Sequence, residues 1–222
     1  MRGDPMFGRP ARMLPDLSLY LVTDPLLCGP RELSNVVAEA VAGGVTLVQL
    51  RDKEASDDTL CAEAETLLEC LRPLGIPLLI NDRPHVAQRI GADGVHLGQR
   101  DMSPAAAREL LGEEALLGVS VRSAAEALAI DPEVVDYAGV GPVFRTETKP
   151  GHPDPIGLEE LARAVEACPV ATVAVGGIGP EEAAAVMAAP VHGVAVISAI
   201  FGSRDPRAAA AGLRRAMSEG RA

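Results

Sequence analysis

Residues Ala171–Ser198 read ATVAVGGIGPEEAAAVMAAPVHGVAVIS and contain the pattern that decides the fold. A run of Val and Ala is followed by a glycine-rich loop, an Ala- and Glu-rich segment of helical period, and a second Val-rich run. The proline after Gly179 suits the first turn of a helix. The pattern predicts a strand, a helix and a strand in succession, which is the unit of a parallel sheet.

The same alternation extends over most of the chain. The candidate strands are Ser18–Thr23, Thr46–Arg51, Pro77–Asn81, Gly94–Leu97, Leu116–Ser120, Tyr137–Gly141, Ala171–Gly176 and Gly193–Ser198. The candidate helices include Glu32–Ala42, Asp57–Leu71, Ser103–Leu111, Leu158–Ala167, Glu181–Ala188 and Pro206–Met217. Eight strand–helix units without a compositional break predict an α/β protein, a (β/α)₈ TIM barrel, as one domain over residues 16–222. An open doubly wound sheet shares the alternation, but no GxGxxG motif follows the first strand.

Composition limits the classes of function. A net charge of −11 argues against a nucleic-acid-binding surface, and the longest apolar runs are too short to cross a bilayer. The four cysteines show neither disulfide nor metal-site spacing, which is typical of a reducing compartment and predicts a cytoplasmic protein. Residues 1–15 lack the apolar stretch of a signal peptide and are predicted to be a flexible tail. The sequence allows a homo-oligomer without indicating one.

Polar residues follow the ends of the candidate strands, where barrels of this kind have their active sites. Gln49–Lys53 and Asn81–Arg83 end the second and third strands, and His96–Asp101 and Ser120 end the fourth and fifth. The chain has only two lysines, Lys53 and Lys149, against 18 arginines, and both lie at predicted strand ends. In such an arginine-rich sequence, a retained lysine at a strand end indicates a compact ammonium directed at a phosphate.

Two kinds of site are predicted at these ends. Asp82 and Asp101 follow neighbouring strands, so their carboxylates can converge on one cation, and oxygen ligands without His or Cys favour Mg²⁺. Helix capping is the alternative for each carboxylate. Gly176–Gly179 and Ile197-Ser198 follow the seventh and eighth strands, where this fold usually binds a phosphate. Two phosphate sites at the same end of a barrel imply two phosphorylated substrates or one bisphosphate.

No arrangement of residues resembles a nucleophile with a general base. His96 is the only histidine on a candidate strand, and a structural role is the alternative to a base there. His85 is expected to open a surface helix, His152 to lie in a Pro/Gly loop, and His192 to precede the eighth strand. The lack of a base favours a displacement in which no proton has to be removed.

Seven motifs carry a resemblance to a known family. They are Gln49–Lys53 (QLRDK), Asn81–Arg83 (NDR), Gly94–Asp101 (GVHLGQRD), Gly118–Ser120 (GVS), Gly139–Lys149 (GVGPVFRTETK), Gly176–Ile178 (GGI) and Val194–Ser198 (VAVIS). Together, in order and at family spacing from Leu17 onward, they resemble the thiamine-phosphate synthase family. The resemblance implies a (β/α)₈ barrel that joins hydroxymethylpyrimidine diphosphate to hydroxyethylthiazole phosphate, giving thiamine phosphate and diphosphate.

The resemblance also implies roles for single residues. The pyrimidine diphosphate would be bound by Gln49, Arg51, Asp52, Lys53, Asn81, Ser120 and Lys149, with Arg51, Ser120 and Lys149 acting in catalysis. The thiazole phosphate would be bound by Thr146, Glu147, Thr148, Gly177, Ile197 and Ser198. Asp82 and Asp101 would hold Mg²⁺.

One departure and two alternatives accompany the resemblance. The family usually has proline where this chain has Arg145, which affects the shape of the loop more than its chemistry. The thiazole tautomerase, an enzyme of similar fold, typically has histidine in an S-V-H-S run, whereas this chain has Arg122 there, and arginine is a poor proton shuttle. A non-catalytic phosphate-binding regulator is the alternative from another class, and turnover would exclude it.

Overall fold

The computed structural model describes residues 13–146 and 154–220 and shows a closed barrel of eight parallel strands in sequence order. The strands are β1 (Leu19–Val22), β2 (Leu47–Leu50), β3 (Leu78–Asn81), β4 (Gly94–Leu97), β5 (Leu116–Val121), β6 (Tyr137–Val140), β7 (Ala171–Val175) and β8 (Gly193–Val196). The barrel closes where β1 pairs with β8, with Tyr20 opposite Ala195. The predicted (β/α)₈ architecture is confirmed.

Helices surround the barrel. They are α1 (Pro25–Cys28), α2 (Leu33–Ala42), α3 (Asp57–Leu71), α4 (Pro84–Ile90), α5 (Pro104–Leu111), α6 (Ala124–Leu128), α7 (Gly157–Ala167), α8 (Pro180–Met187), α9 (Ser198–Phe201) and α10 (Pro206–Glu219), with a 3₁₀ turn at Arg72–Leu74. Ser103 caps α5, and Pro104 and Pro180 occupy first-turn positions, as predicted. No helix in the described part of the chain is long and apolar enough to cross a membrane.

Several predicted strands end earlier in the structure. Gly176 adopts a φ of 97°, which turns the chain out of β7. The predicted eighth strand extended to Ser198, which is wrong, because the chain leaves β8 after Val196 and Ser198 begins α9. The tail predicted for residues 1–15 lies mostly outside the described residues and stays a prediction.

The apolar core has two layers, because successive strand side chains point to opposite faces. Leu19 and Leu21 of β1 face outward and pack under the helices, whereas Tyr20 and Val22 face into the barrel. Leucine, valine and alanine side chains, with the two tyrosines, fill the interior. This explains how a chain with 2% aromatic residues closes a barrel.

A buried ion pair supports the amino-terminal end of the barrel. The Arg108 guanidinium donates to Asp136 Oδ2 at 2.8 Å and to the backbone carbonyls of Val134, Gly112 and Ala115. The same Asp136 oxygen accepts the N–H of Leu117 at 2.7 Å. These bonds tie α5 to the beginnings of β5 and β6, at the opposite end from the predicted site.

Candidate active site

The carboxyl ends of the strands surround a cavity of about 330 Å³, which we call the mouth. Its floor lies inside the barrel and its rim is formed by the loops that follow the strands. This is where barrels of this architecture have their active sites. The predicted site residues that line the mouth are Gln49, Arg51, Lys53, Asn81, Asp82, Asp101, Ser120, Thr146, Gly177, Ile197 and Ser198.

Two carboxyl groups meet at the rim. The side chains of Asp82 and Asp101 are hydrogen-bonded to each other, and Lys53 Nζ lies 2.9 Å from Asp82 Oδ2. Burial alone would raise the pKa of Asp82, but the hydrogen bonds with Asp101 and Lys53 outweigh it and hold this pKa below its usual range. Burial and the neighbouring Asp82 raise the pKa of Asp101. The two opposite shifts reflect repulsion between the neighbouring carboxyl groups, which a bound cation would relieve.

The backbone at Asp82 directs its carboxylate to the rim. Asp82 has a φ of 60°, a left-handed conformation that costs about 1 kcal/mol for a residue with a Cβ. Its N–H donates to the carbonyl of His96 on β4. Arg83 is the residue that precedes α4, and Ser103 caps α5, so neither Asp82 nor Asp101 serves as a helix cap. The capping alternative does not hold for either residue.

The donor set at the rim suits a hard divalent cation. Residues 13–146 and 154–220 contain no group of three or more His, Cys, Asp or Glu side chains that could hold a metal. Two carboxylates leave most of a coordination shell to water and phosphate oxygens, which is the usual state of Mg²⁺. Zinc would favour nitrogen or sulfur ligands in a fuller set. Two adjoining carboxyl groups also fit a cation, because its charge would offset the repulsion between them.

Basic side chains share the mouth with the acidic pair. Arg51, Lys53, Arg100 and Arg122 all line the mouth. The backbone of Arg51 is fixed by the buried Thr23, whose Oγ1 accepts the Arg51 N–H at 2.8 Å and donates to the Arg51 carbonyl at 3.2 Å. This local positive charge, in a chain of net charge −11, suits a ligand with several negative charges.

The floor of the mouth carries a row of buried polar groups. Gln49 Nε2 donates to the hydroxyl of Tyr20, which lies 2.9 Å from the hydroxyl of Tyr137. His96 bonds to Tyr137 through Nδ1 at 2.8 Å and to Ser120 Oγ through Nε2 at 2.9 Å. Both ring nitrogens of His96 are thus engaged, which agrees with the structural alternative weighed for this residue. Burial raises the pKa of both tyrosines, so their hydroxyls remain protonated.

Backbone groups line the side of the mouth next to β7 and β8. Gly176 and Gly177 both have positive φ, and a Cβ at Gly177 would lie 2.6 Å from the carbonyl oxygen of Arg145. Glycine is therefore required where this loop approaches the one after β6. Ser198 begins α9, and the first N–H groups of a helix have no partner within it. This wall can therefore bind an anion through backbone N–H groups.

Comparisons with known proteins agree with this geometry. The family described as thiamine monophosphate synthase matches residues 19–200. A thiamine-phosphate synthase of Azorhizobium caulinodans is 50% identical over 199 residues, which covers 90% of this chain and 94% of that protein. Another from Xanthobacter autotrophicus is 47% identical over 202 residues, with 91% and 96% covered. The solved thiamine phosphate pyrophosphorylase of Pyrococcus furiosus superimposes with a TM-score of 0.84 at 36% identity, with 93% and 98% covered.

The chain belongs to the thiamine monophosphate synthase family. The family predicted from the motifs is confirmed, and so is the prediction of a thiamine-phosphate synthase, and hence of a transferase enzyme, at the level of that family.

Eleven of the fifteen predicted site residues of this synthase family member are among the described residues that line the mouth, which leaves four. Asp52 Oδ1 accepts the N–H groups of Glu54 and Ala55 at 2.9 and 3.1 Å, so its carboxylate stabilises the loop after β2. The other three, Glu147, Thr148 and Lys149, lie outside the described residues, as does His152. Arg145 is exposed and is not among the residues that line the mouth, so the expected effect on loop shape stays a prediction.

Sequence reasoning missed the floor of the mouth. Tyr20 and Tyr137 were assigned only to strands, although they are the only two tyrosines of the chain. Gly139 lies on β6, where an added Cβ would come within 3.2 Å of His96 Cε1 and 3.3 Å of Val175 Cγ2. Two signals were available in the sequence, namely the scarcity of tyrosine and the glycines inside strands, since such glycines often mark a close approach.

Proposed function

We propose that this synthase joins hydroxymethylpyrimidine diphosphate to hydroxyethylthiazole phosphate in the mouth, releasing diphosphate, with Mg²⁺ held by Asp82 and Asp101. The observation that carries the proposal is the meeting of that carboxyl pair with Arg51 and Lys53 above a hydrogen-bonded floor, in a cavity of about 330 Å³. The cavity size and the charges suit small phosphorylated ligands.

The diphosphate end of the first substrate is assigned to the basic rim. Arg51 and Lys53, with Lys149 from the sequence motif, would stabilise the charge that grows on the departing diphosphate. Asp82 and Asp101 would hold Mg²⁺, which when bound supplies additional positive charge to the leaving phosphate oxygens. Asn81, at the end of β3, lies next to Asp82 and hydrogen-bonds to its carboxylate.

The pyrimidine ring is assigned to the floor. Gln49 and Ser120 provide polar contacts there, whereas Val22, Val173 and Val175 provide apolar walls. The carbon–oxygen bond to the diphosphate breaks with both electrons leaving on oxygen. The electron-rich aminopyrimidine stabilises the cationic methylene that remains. Apolar walls exclude the water that would otherwise capture this cation.

The thiazole phosphate is assigned to the wall formed by Gly177, Ile197 and Ser198, with Thr146 and, from the motif, Glu147 and Thr148. The thiazole nitrogen carries no proton, so its lone pair forms the new carbon–nitrogen bond directly. This dissociative displacement needs no general base, in agreement with His96 being engaged at both nitrogens. Catalysis then depends on positioning and electrostatics.

Product formation tests the proposal directly. Purified protein would be mixed with both substrates and Mg²⁺, and thiamine phosphate would be followed after oxidation to fluorescent thiochrome. We expect product that disappears with EDTA, and a loss of about 100-fold or more in kcat for Asp101→Ala and for Lys149→Ala. Asp58→Ala is the matched control, because Asp58 is exposed and paired with Arg89 away from the mouth.

Each outcome bears on a separate part of the proposal. Absence of product from folded protein would refute the synthase proposal, and isomerisation of the thiazole precursor would then favour the tautomerase. Turnover that persists after EDTA would refute the role of Mg²⁺, and an unchanged rate for Lys149→Ala would remove Lys149 from catalysis. The cytoplasmic location and a homo-oligomer stay predictions.

A further inference from the structure

The floor groups form one continuous chain of side chains from β2 to β5. In order they are Gln49, Tyr20, Tyr137, His96 and Ser120, and each bonds to the next. The side chains of Tyr20 and Tyr137 are almost completely buried, and Gln49 and His96 are at most 9% exposed. The chain therefore connects the two proposed pyrimidine contacts, Gln49 and Ser120, through largely buried side chains.

The hydrogen atoms available give this chain a direction. Gln49 Nε2 donates to the Tyr20 hydroxyl, so Tyr20 uses its single proton toward Tyr137. With Tyr137 accepting from Tyr20, the acceptor within reach of its own proton is Nδ1 of His96, 2.8 Å from the Tyr137 hydroxyl. A neutral histidine that accepts at Nδ1 carries its proton on Nε2 and donates it to Ser120 Oγ. The Ser120 hydroxyl, already an acceptor, then has its own proton left for a ligand in the mouth.

Two strand glycines make room for the same chain. A Cβ at Gly118 would lie 2.1 Å from Tyr137 Cζ, well inside the contact distance between carbon atoms. A Cβ at Gly139 would lie 3.2 Å from His96 Cε1. Glycine weakens a strand, so its presence at these two positions indicates that the space occupied by Tyr137 and His96 matters. The rings of these two residues also pack at a centroid distance of 5.5 Å.

We propose that Tyr20, Tyr137 and His96 are positioning residues that link Gln49 to Ser120 in one directional hydrogen-bond chain, which makes the Ser120 hydroxyl a donor to the pyrimidine substrate. The inference rests on the proposed function, because it takes Gln49 and Ser120 as pyrimidine contacts. None of the three positioning residues has to touch the reacting atoms. Their effect is to decide which way the protons of the floor point before substrate binds.

Kinetics of hydroxyl-deletion variants test this role. Tyr137→Phe interrupts the chain and frees His96 to change tautomer. Ser120 can then donate its proton to His96 instead of to the substrate. We expect kcat/KM for the pyrimidine diphosphate to fall about tenfold, with the KM for the thiazole phosphate changed by less than about twofold. Tyr20→Phe should act in the same direction. Thr172→Val is the matched control, since it removes a buried strand hydroxyl that has no partner among the described residues.

A double-mutant cycle separates positioning from a general loss of packing. In the Ser120→Ala background, Tyr137→Phe should change kcat/KM for the pyrimidine diphosphate by less than about twofold, because the group that it orients is gone. An additive tenfold loss would overturn the proposal, since Tyr137 would then act independently of Ser120. Equal losses for both substrates would overturn it as well.

The tautomer of His96 provides a readout that needs no turnover. Nitrogen NMR of histidine-labelled protein at about pH 8, where an ordinary imidazole is neutral, distinguishes the two tautomers. The resonances are assigned by their loss in His96→Gln. We expect the Nε2–H form in the wild type and a mixture in Tyr137→Phe. An Nδ1–H form in the wild type would overturn the chain direction. Inactive wild-type protein in the Nε2–H form would refute the proposed function while supporting the chain direction.

Discussion

The substitution Gly118→Ala would place a single methyl group against the buried ring of Tyr137 in the barrel interior. The added Cβ would lie 2.1 Å from Cζ and 2.4 Å from the hydroxyl oxygen of Tyr137. Non-bonded carbon atoms prefer a separation of about 3.5–4.0 Å, so the ring tip would have to move by roughly 1.5 Å. Tyr137 is fully buried and bonded to Tyr20 and His96, so it cannot move without breaking those bonds.

The size of the effect follows from this displacement. Overpacking a tight core costs about 1–3 kcal/mol, and the short distances here place Gly118→Ala at about 3 kcal/mol, the upper end. In a domain of this length, 1 kcal/mol shifts Tm by about 2–4 °C, so we expect a decrease of about 6–12 °C. The displaced Tyr137 ring should also lower kcat/KM for the pyrimidine diphosphate in the variant that remains folded.

Thermal unfolding followed by circular dichroism measures the change, and the chain offers a matched control. Gly212 lies inside α10, and an added Cβ there would meet no described atom within 4 Å. Gly212→Ala should therefore raise the free energy of unfolding by about 0.5–1 kcal/mol, because alanine favours helices. If Gly118→Ala were as stable as the wild type, the packing argument at Tyr137 would be refuted.

Three further perturbations test other parts of the structure. Asp101→Asn should abolish turnover yet stabilise the apo protein slightly, by about 0.5 kcal/mol at most, since solvent screens this partly exposed group. Because the pKa of Asp101 is raised in the folded protein, the wild type loses stability as pH rises through that pKa and Asp101 ionises. Denaturant titrations should therefore show Asp101→Asn to be more stable than the wild type at neutral pH and no more stable at acidic pH. Asp136→Ala leaves the buried Arg108 without its carboxylate partner and should lower the free energy of unfolding, measured in urea, by about 3–5 kcal/mol. The exposed Asp58→Ala should lower it by less than about 0.5 kcal/mol. Gly177→Ala, at a φ of 65°, should raise the KM for the thiazole phosphate about tenfold or more, and an unchanged KM would contradict its place in the phosphate wall.

The architecture could be predicted because both faces of the barrel strands are buried. Such strands read as short apolar runs rather than as alternating patterns, and eight of them recur between helical segments. The elements that escaped prediction are the short helices α1, α6 and α9, of four or five residues. A helix of one turn is too short to show a 3.6-residue period. The predicted end of the eighth strand was wrong for the same reason, since α9 begins at Ser198.

The rim of the site was easier to predict than its floor. Charged residues that follow apolar strands stand out in the sequence, and Lys53, Asp82 and Asp101 all converge as expected. In a fully buried strand, however, the sequence does not reveal which residues point inward. The pairing of β1 with its neighbours decides that Tyr20 faces the interior while Leu19 and Leu21 face the helices.

The two ends of this barrel differ in how their charged side chains are paired. The carboxyl end holds two carboxyl groups in contact, whereas the amino end holds a buried ion pair. At the carboxyl end, Asp82 adopts a left-handed backbone and its carboxyl group contacts that of Asp101, so this end is destabilised by both conformation and repulsion. At the amino end, Arg108 and Asp136 form a buried pair in which the guanidinium and the carboxylate have several backbone partners. A barrel held together at one end can maintain an unfavourable arrangement at the other, and that arrangement becomes favourable once a cation and a diphosphate bind. Binding of a cation and a diphosphate should therefore raise the free energy of unfolding of the synthase. This increase should be lost in Asp101→Asn, which no longer has the second carboxylate.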